Sequence, residues 1–461
     1  MNQTASLSLV QAPPLSVPLR FFIAAPLFAF AAALVMLWQG PELFSSRWNP
    51  AMLGITHMLT LGYMGMIMQG AILQMLPVVA GTPVQRPALI ASIIHTLGIA
   101  GIILLCIGLV FTLPLLLQIA LPTLGGALLQ FAALVVITLR RSLPQNMTAR
   151  AIRLAALMLA ATVLLGILLL SNHAFGWWIQ EREVLADLHL TWGLLGWVGI
   201  LVAGVAFQVV PMFQLTPAYP AQLTRWLADT LFLLLLLIVP AISTPSLLCA
   251  LKFLLAAGFA IFAVTTLYLQ SKRRRKLPDV SLDFWRCGMI SLLSAIALWL
   301  AAQIAPAIGD MQSYGTLLGE LMIVGFSMSV INGMLYKIVP FLVWFHLQSN
   351  RGATSSHAVP NVREILRESH ARGQMRVQVV ALCTLIAGTI FPAAFFYPAA
   401  LLFGASNLWL WLNIIAASRI YRRVFAQLAA AATNPQPTVQ TEAEPRNEHS
   451  LSTLNKTAST L

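Results

Sequence analysis

Charged side chains are scarce here. Asp, Glu, Lys and Arg make up only 9% of the 461 residues, against roughly 25% in a soluble domain. With 59% hydrophobic residues and a mean hydropathy of +0.83, most of the chain belongs in lipid. Acid is scarcer than base: 14 Asp and Glu against 27 Lys and Arg leave a net charge of +13. That excess does not call for nucleic acid, because the basic residues stand in short loops between apolar runs, as the positive-inside rule places them. Cysteine is sparse as well. Cys106, Cys249, Cys287 and Cys383 stand alone in or beside apolar runs, and no pair has metal or redox spacing, which favours structural roles. The N-terminal stretch has no basic n-region and no small-residue cleavage site beside a short apolar core, so a cleaved signal peptide is not expected.

What the chain does have is long apolar runs. A membrane-crossing helix needs about 20 such residues, and by that measure about twelve spans begin near Pro18, Ala51, Pro87, Leu115, Ala151, Asp187, Trp226, Pro245, Phe284, Gln312, Val377 and Phe395. Pro392 reads equally as a turn or a kink between the last two. Basic clusters follow the fourth, eighth, tenth and twelfth spans: Arg140, Arg141, Arg150 and Arg153; the run 271–276; the connection 351–376; and Arg419, Arg422 and Arg423. Loops after odd-numbered spans hold Glu42 with Arg47, then Glu181, Arg182 and Glu183, then Asp310. All basic loops thus fall on one side, and a multi-pass protein of the cytoplasmic (inner) membrane with both termini in the cytoplasm is expected. Residues 1–17 form a cytoplasmic segment, 18–420 the membrane domain and 421–461 a cytoplasmic tail expected to be disordered. Residues 362–376 read as a short interfacial helix with a solvated charged face.

An internal pattern organises the membrane domain. Gly62, Gly70 and Pro77 recur as Gly196, Gly204 and Pro211, and again as Gly325, Gly333 and Pro340, at shifts of 134 (196 − 62) and 129 (325 − 196) residues. Three copies at near-equal spacing imply an all-α fold of twelve helices in three pseudo-symmetric groups of four, covering about 18–139, 151–270 and 284–420.

The candidate functional residues sit in these repeats. His57, His189 and Glu320 open the second, sixth and tenth spans at similar depth, and intramembrane ionisable groups usually face a bundle interior or cavity. Counted from the first glycine of each copy, His57 and Glu320 stand at −5, whereas His189 stands at −7 with Thr191 at −5. Two residues turn a helix by about 200°, so His189 points nearly opposite to the other two and the three need not form one site. Gln74, Gln208 and Lys337 stand three residues before each proline, and Lys337 reads as a snorkelling side chain. Met58, Met64, Met66, Met68 and Met75 crowd the second span; thioethers bind Cu(I), but methionine more often fills gaps in packing. His95 and His173 read as structural, the latter with Trp177 and Trp178 as an interfacial belt. His346, His357 and His370 lack ligand spacing.

Twelve spans in three groups of four, histidines opening spans two and six, and the exit LPVVAGTPV (76–84) together resemble subunit I of the haem–copper oxidase superfamily, including cytochrome c oxidase subunit I. The related twelve-span NnrS proteins, associated with haem, copper and nitric oxide response, are another possible home. The resemblance is distant, covers about 18–420 as an architecture, and rests on residues only in spans two and six. It implies His57 as a low-spin haem ligand and His189 as the span-six copper ligand. The departures bear on activity. Gly193 stands where the family has a tyrosine or glutamate four residues after that histidine, the seventh span has no paired histidines, and the tenth has no histidine pair.

The resemblance thus implies a degenerate relative without a complete binuclear centre, not a functional terminal oxidase. It would bind haem, copper or both through His57, His189 and Glu320, for electron transfer, sensing or nitrogen-oxide metabolism. Glu320 would orient the His57 imidazole or replace a lost ligand. The expected partners are the lipid bilayer and a respiratory complex or redox protein, not nucleic acid. A cofactor-free transporter and an assembly factor for a respiratory complex are the alternatives.

Overall fold

Hydrocarbon offers no hydrogen bonds to the backbone, so a lipid-embedded chain of this composition must close its peptide groups within helices. The computed structural model, which describes residues 12–81, 84–140, 142, 146–177, 179–274, 277–350 and 358–433, obeys this: all regular structure among the described residues is helical. Among the described residues, twelve helices are long and apolar enough to cross a membrane. In chain order they are Ser16–Gln39, Pro50–Pro77, Pro87–Val110, Pro114–Leu139, Met147–Phe175, Arg182–Gln214, Ala221–Ala241, Pro245–Ser271, Val280–Ile304, Tyr314–Ser349, Glu368–Ile390 and Pro392–Ala430.

Eleven of the twelve spans start close to the positions read from the sequence, and the eleventh starts nine residues earlier, at Glu368 rather than Val377. The reason is local. Asn361 caps a short helix, Val362–Ile365, in a reciprocal capping box with Glu364, and the backbone then turns extended at Leu366 and Arg367. The stretch expected to be one interfacial helix is therefore a capped turn followed by the first turns of the eleventh span. Pro392 marks a turn: the preceding helix ends at Ile390, and the proline opens the next one. That last helix continues to Thr433, so residues 421–433 are helical where the tail was expected to begin. The remainder of the expected tail, 434–461, and residues 1–11 of the N-terminal segment lie outside the described residues.

Spans two, six and ten share a feature that the sequence did not announce. Each passes through a π-helical segment, Met58–Gly65, Trp192–Gly199 and Glu320–Met328. The first two run from four residues before Gly62 or Gly196 to three after; the third starts one residue earlier relative to Gly325. The Met66 N–H reaches the Leu61 carbonyl and the Ile200 N–H reaches that of Leu195, each five residues back. Such wide turns are rare and occur often at functional sites. Pro77, Pro211 and Pro340 then sit inside the α-helical continuation of each span.

The repeated glycines are contact points. A methyl group added at Gly62 would stand 2.5 Å from Phe28, and at Gly70 2.8 Å from Phe21; at Gly196, 2.9 Å from Met158, and at Gly204, 2.2 Å from Ala151; at Gly325, 2.7 Å from Ser291, and at Gly333, 2.9 Å from Phe284. The partner residues in each preceding span lie seven apart and in reversed order, as antiparallel neighbours require. Helices in lipid gain little from hiding apolar area against one another, so close backbone approach at small residues carries much of their association.

A buried polar network joins spans ten, eleven and twelve. The Gln374 amide donates to Ser406 Oγ at 2.9 Å, Ser406 donates to Gln378 at 2.8 Å, Tyr336 donates to Gln374 at 3.2 Å, and Asn413 donates to the Tyr336 oxygen at 3.0 Å. Tyr63 of the second span donates to Asn332 of the tenth, linking the first and third repeats.

The glycine contacts generate a paired test. Gly204→Ala places a methyl group against the Ala151 Cβ, which is fixed to its backbone, and should lower stability by about 1–3 kcal/mol. Gly126→Ala meets nothing within 4 Å and should be neutral or stabilising by up to about 1 kcal/mol. Thermal unfolding of the detergent-solubilised variants checks both; equal effects would dissociate the repeated glycines from packing.

Candidate functional site

His57 and His189 lie seven residues, and Glu320 six residues, into their spans, about 10 Å of helix. They therefore share one end of the bundle, where the even-numbered spans begin; this end is called the site face below. All three line one cavity of about 390 Å³, walled by spans two to six on one side and capped by the start of span ten.

The two imidazoles are neighbours, with ring centres 6.3 Å apart and planes inclined by 34°. The register comparison had turned His189 away from His57. The helix faces were read correctly, since Thr191 lines a second cavity on the far side of span six while His189 lines the first. Equivalent helix faces need not line the same cavity. The first cavity lies between spans two and six, so it meets a different face of each, and residues at −5 and −7 converge on it.

Both rings are held in the same way. The His57 Nδ1 stands 2.8 Å from the Leu53 carbonyl oxygen, and the His189 Nδ1 stands 3.0 Å from the Thr162 carbonyl oxygen. A carbonyl only accepts, so each Nδ1 carries the proton, and in the neutral ring each Nε2 keeps a lone pair. Neither Nε2 hydrogen-bonds to a described residue. The His189 ring also lies flush against the fifth span: a methyl group at Gly166 would stand 3.0 Å from its Cε1. Glycine at 166 is therefore a condition for the position of His189.

Glu320 is hydrogen-bonded to a neighbouring span. Its Oε1 accepts a 2.7 Å hydrogen bond from the Thr389 hydroxyl of span eleven, while Oε2 is buried without a partner; the residue is 8% exposed. The Leu53 carbonyl, not Glu320, fixes the His57 ring. Among the described residues no three His, Cys, Asp or Glu side chains converge as a metal site, so Glu320 shares the cavity without joining the histidines.

The mouth is cationic and aromatic. Arg47 pairs with Asp187 at 2.9 Å, tying the first connection to span six. The guanidinium carbons of Arg47 and Arg182 lie 4.8 and 5.7 Å from the centre of the Trp48 ring. All four residues line the cavity, and so does His173, which the sequence had suggested was structural. The only sequence signal for these mouth residues was their place beside the openings of spans two and six.

The other sequence candidates are elsewhere. His95 faces the Arg20 carbonyl at 3.1 Å and packs edge-on against Phe21. Met58, Met64, Met66 and Met68 are buried in the core, and none of the five methionines lines the cavity. Lys337 pairs with Asp279 at 2.9 Å rather than snorkelling free. His346 and His370 are remote from the cavity lining, and His357 lies outside the described residues. The four cysteines are free.

Thr389→Val would strip Glu320 of its hydrogen-bond donor and should cost about 1–3 kcal/mol, the penalty for an unpartnered buried polar group. Glu320→Gln keeps an oxygen for Thr389 and should cost less. In a Glu320→Leu background the Thr389→Val effect should largely vanish; thermal unfolding of the four proteins gives the coupling, and additive losses would mean that the pair is not the cause. In comparison with known proteins, the chain matches no protein-family model and no curated protein, so the function of this cavity is argued from its own geometry.

Proposed function

We propose that the chain is a multi-pass protein of the cytoplasmic membrane that holds a haem through His57 and His189 for electron transfer or sensing. The observation that carries this reading is the pair of neighbouring imidazoles, each tied at Nδ1 to a backbone carbonyl, with no hydrogen bond from either Nε2 to a described residue. A hydrogen bond at the remote nitrogen is the usual way in which a metal-binding histidine is oriented. With ring centres 6.3 Å apart, His57 and His189 are the residues that would hold the group.

The rest of the cavity fits a flat, largely apolar group with acidic edges. Its walls are mainly Leu, Ile, Val and aromatic side chains, and Arg47 and Arg182 stand at the mouth, where haem carboxylates would meet them. Among the described residues no third ligand converges, which favours His57 and His189 as the pair that would hold a haem over a copper site. The group would supply a one-electron couple tuned by its ligands and burial. The protein's residues position the rings, exclude water and present Glu320 as the nearby group able to take or give a proton.

The register of the three π-helical segments and their glycine contacts supports a threefold internal repeat of four helices and, with it, the likeness to haem–copper oxidase subunit I and NnrS proteins. The ligand set supports a relative that exchanges electrons with a respiratory complex or redox protein, without reducing dioxygen or nitric oxide at a binuclear centre. The basic loops support cytoplasmic termini, which puts the site face outside. The wide turns in three matched spans are the one observation favouring a cofactor-free transporter, since broken helices at matched positions recur in transporters.

The absorption spectrum and metal content of protein purified from haem-replete cells test the reading. A Soret band with a low-spin signature is expected, abolished or shifted to high spin by His57→Ala and equally by His189→Ala. Gly166→Leu should weaken it by displacing the His189 ring. A colourless, metal-free preparation would overturn the proposal in favour of the transporter.

A further inference from the structure

The sixth span has a cavity on each side. The second, of about 690 Å³, lies between span six and spans seven to ten, as the first lies between span two and spans three to six. Asp187, Leu190, Leu194 and Gly319 belong to both walls. The chemistry differs. No histidine lines the second cavity, and most of its surface is aliphatic or aromatic, with Leu255, Phe259 and Leu292 among the lining residues.

Its polar groups gather toward the site face. Gln303 is one residue from the end of span nine, Tyr314 opens span ten, and Lys252 lies seven residues into span eight. Below Lys252 on the same helix face come Leu255 and Phe259, about 10 Å of apolar wall at 1.5 Å per residue. The cavity thus has a polar rim near the membrane surface and an apolar depth.

Lys252, an exposed residue, is the one cation among those lining this cavity. An ammonium within an apolar span is costly. Like Arg20, Arg153, Arg225 and Arg286 in other spans, Lys252 makes no ion pair with any described residue, but unlike them it lines a cavity. The carboxylate in its own cavity wall, Asp187, is engaged by Arg47.

We propose that this second cavity binds an acyl-chain amphiphile with an anionic head. The Lys252 ammonium meets the head, Tyr314 and Gln303 offer further donors at the rim, and the chain lies against Leu255, Phe259 and Leu292. The inference does not depend on haem in the first cavity.

Native mass spectrometry of the full chain in mild detergent tests it, with oleate, phosphatidylglycerol and phosphatidylcholine of matched chains as probes. Wild type and Lys252→Arg should retain one anionic amphiphile and release phosphatidylcholine; Lys252→Gln should retain at least about tenfold less. Ala256→Phe, which fills the apolar wall and leaves the lysine in place, should also lose it. Retention of oleate alone identifies a free carboxylate as the head, and retention of phosphatidylglycerol alone identifies a phosphodiester; either result supports the site. Equal retention by wild type and Lys252→Gln, as expected if the lysine merely snorkels to bulk head groups, overturns the proposal. So does full retention by Ala256→Phe or equal binding of phosphatidylcholine. Gel filtration confirms that the variants are folded, and an unchanged visible spectrum in Lys252→Gln separates this site from the histidine cavity.

Discussion

Close approach of spans two, six and ten to the spans before them is the constraint from which the rest follows. Gly62, Gly196 and Gly325 each take a side chain of the preceding span against bare backbone, and Gly70, Gly204 and Gly333 do so again two turns later. In a medium as apolar as the side chains themselves, such contacts must supply association by fit. The π-helical segments lie at the first contact of each pair. There, Gly65 and Gly199 bring a potential methyl group within 3.1 and 3.3 Å of the carbonyl five residues back, so the wide turn also prefers glycine from within. Contact and distortion are thus coupled in the first two copies, while the third has Met328 at that place and bonds the Ser327 hydroxyl to the Met322 carbonyl at 2.8 Å instead.

Drawing spans two, six and ten onto their predecessors leaves space on their other sides, and two cavities occupy part of it. Between spans two and six it is the histidine cavity; between six and ten it is the cavity with Lys252 at its rim. Between ten and two the spans touch, and Tyr63 bonds directly to Asn332 above the Gln374–Ser406–Gln378 network. In that third sector Asn332 Nδ2 and Gln378 Nε2 are buried without partners. Each such group costs about 1–3 kcal/mol if left dry, which makes these atoms places for internal water.

Much of this was legible in the sequence. Low charge and long apolar runs gave the twelve spans, and the Gly–Gly–Pro skeleton gave the three spans that matter, because each glycine is a contact and contacts constrain composition. His57, His189 and Glu320 were found from depth alone, since an ionisable group in an apolar span stands out. Their convergence was not legible. Helical periodicity assigns a residue to a face of its own helix but says nothing of which neighbour that face meets. The π-helical turns were also hidden, because Gly62 and Gly196 are equally consistent with an ordinary α-helix. Arg47 and Arg182 read as ordinary loop residues, and only their common position over the cavity with Trp48 gives them a role.

The same limit explains why Thr191 and His189 belong to different sites while lying two residues apart. Span six is shared by two cavities, so its successive turns serve each in alternation, and Leu190 and Leu194, between them, line both. Asp187 does so too, and its bond to Arg47 crosses the mouth of the first cavity. Asp187 is a carboxylate common to both walls: Arg47 holds it at the first mouth, and Lys252 is the one cation among the residues lining the second cavity. Span six is thus the element that the two cavities share.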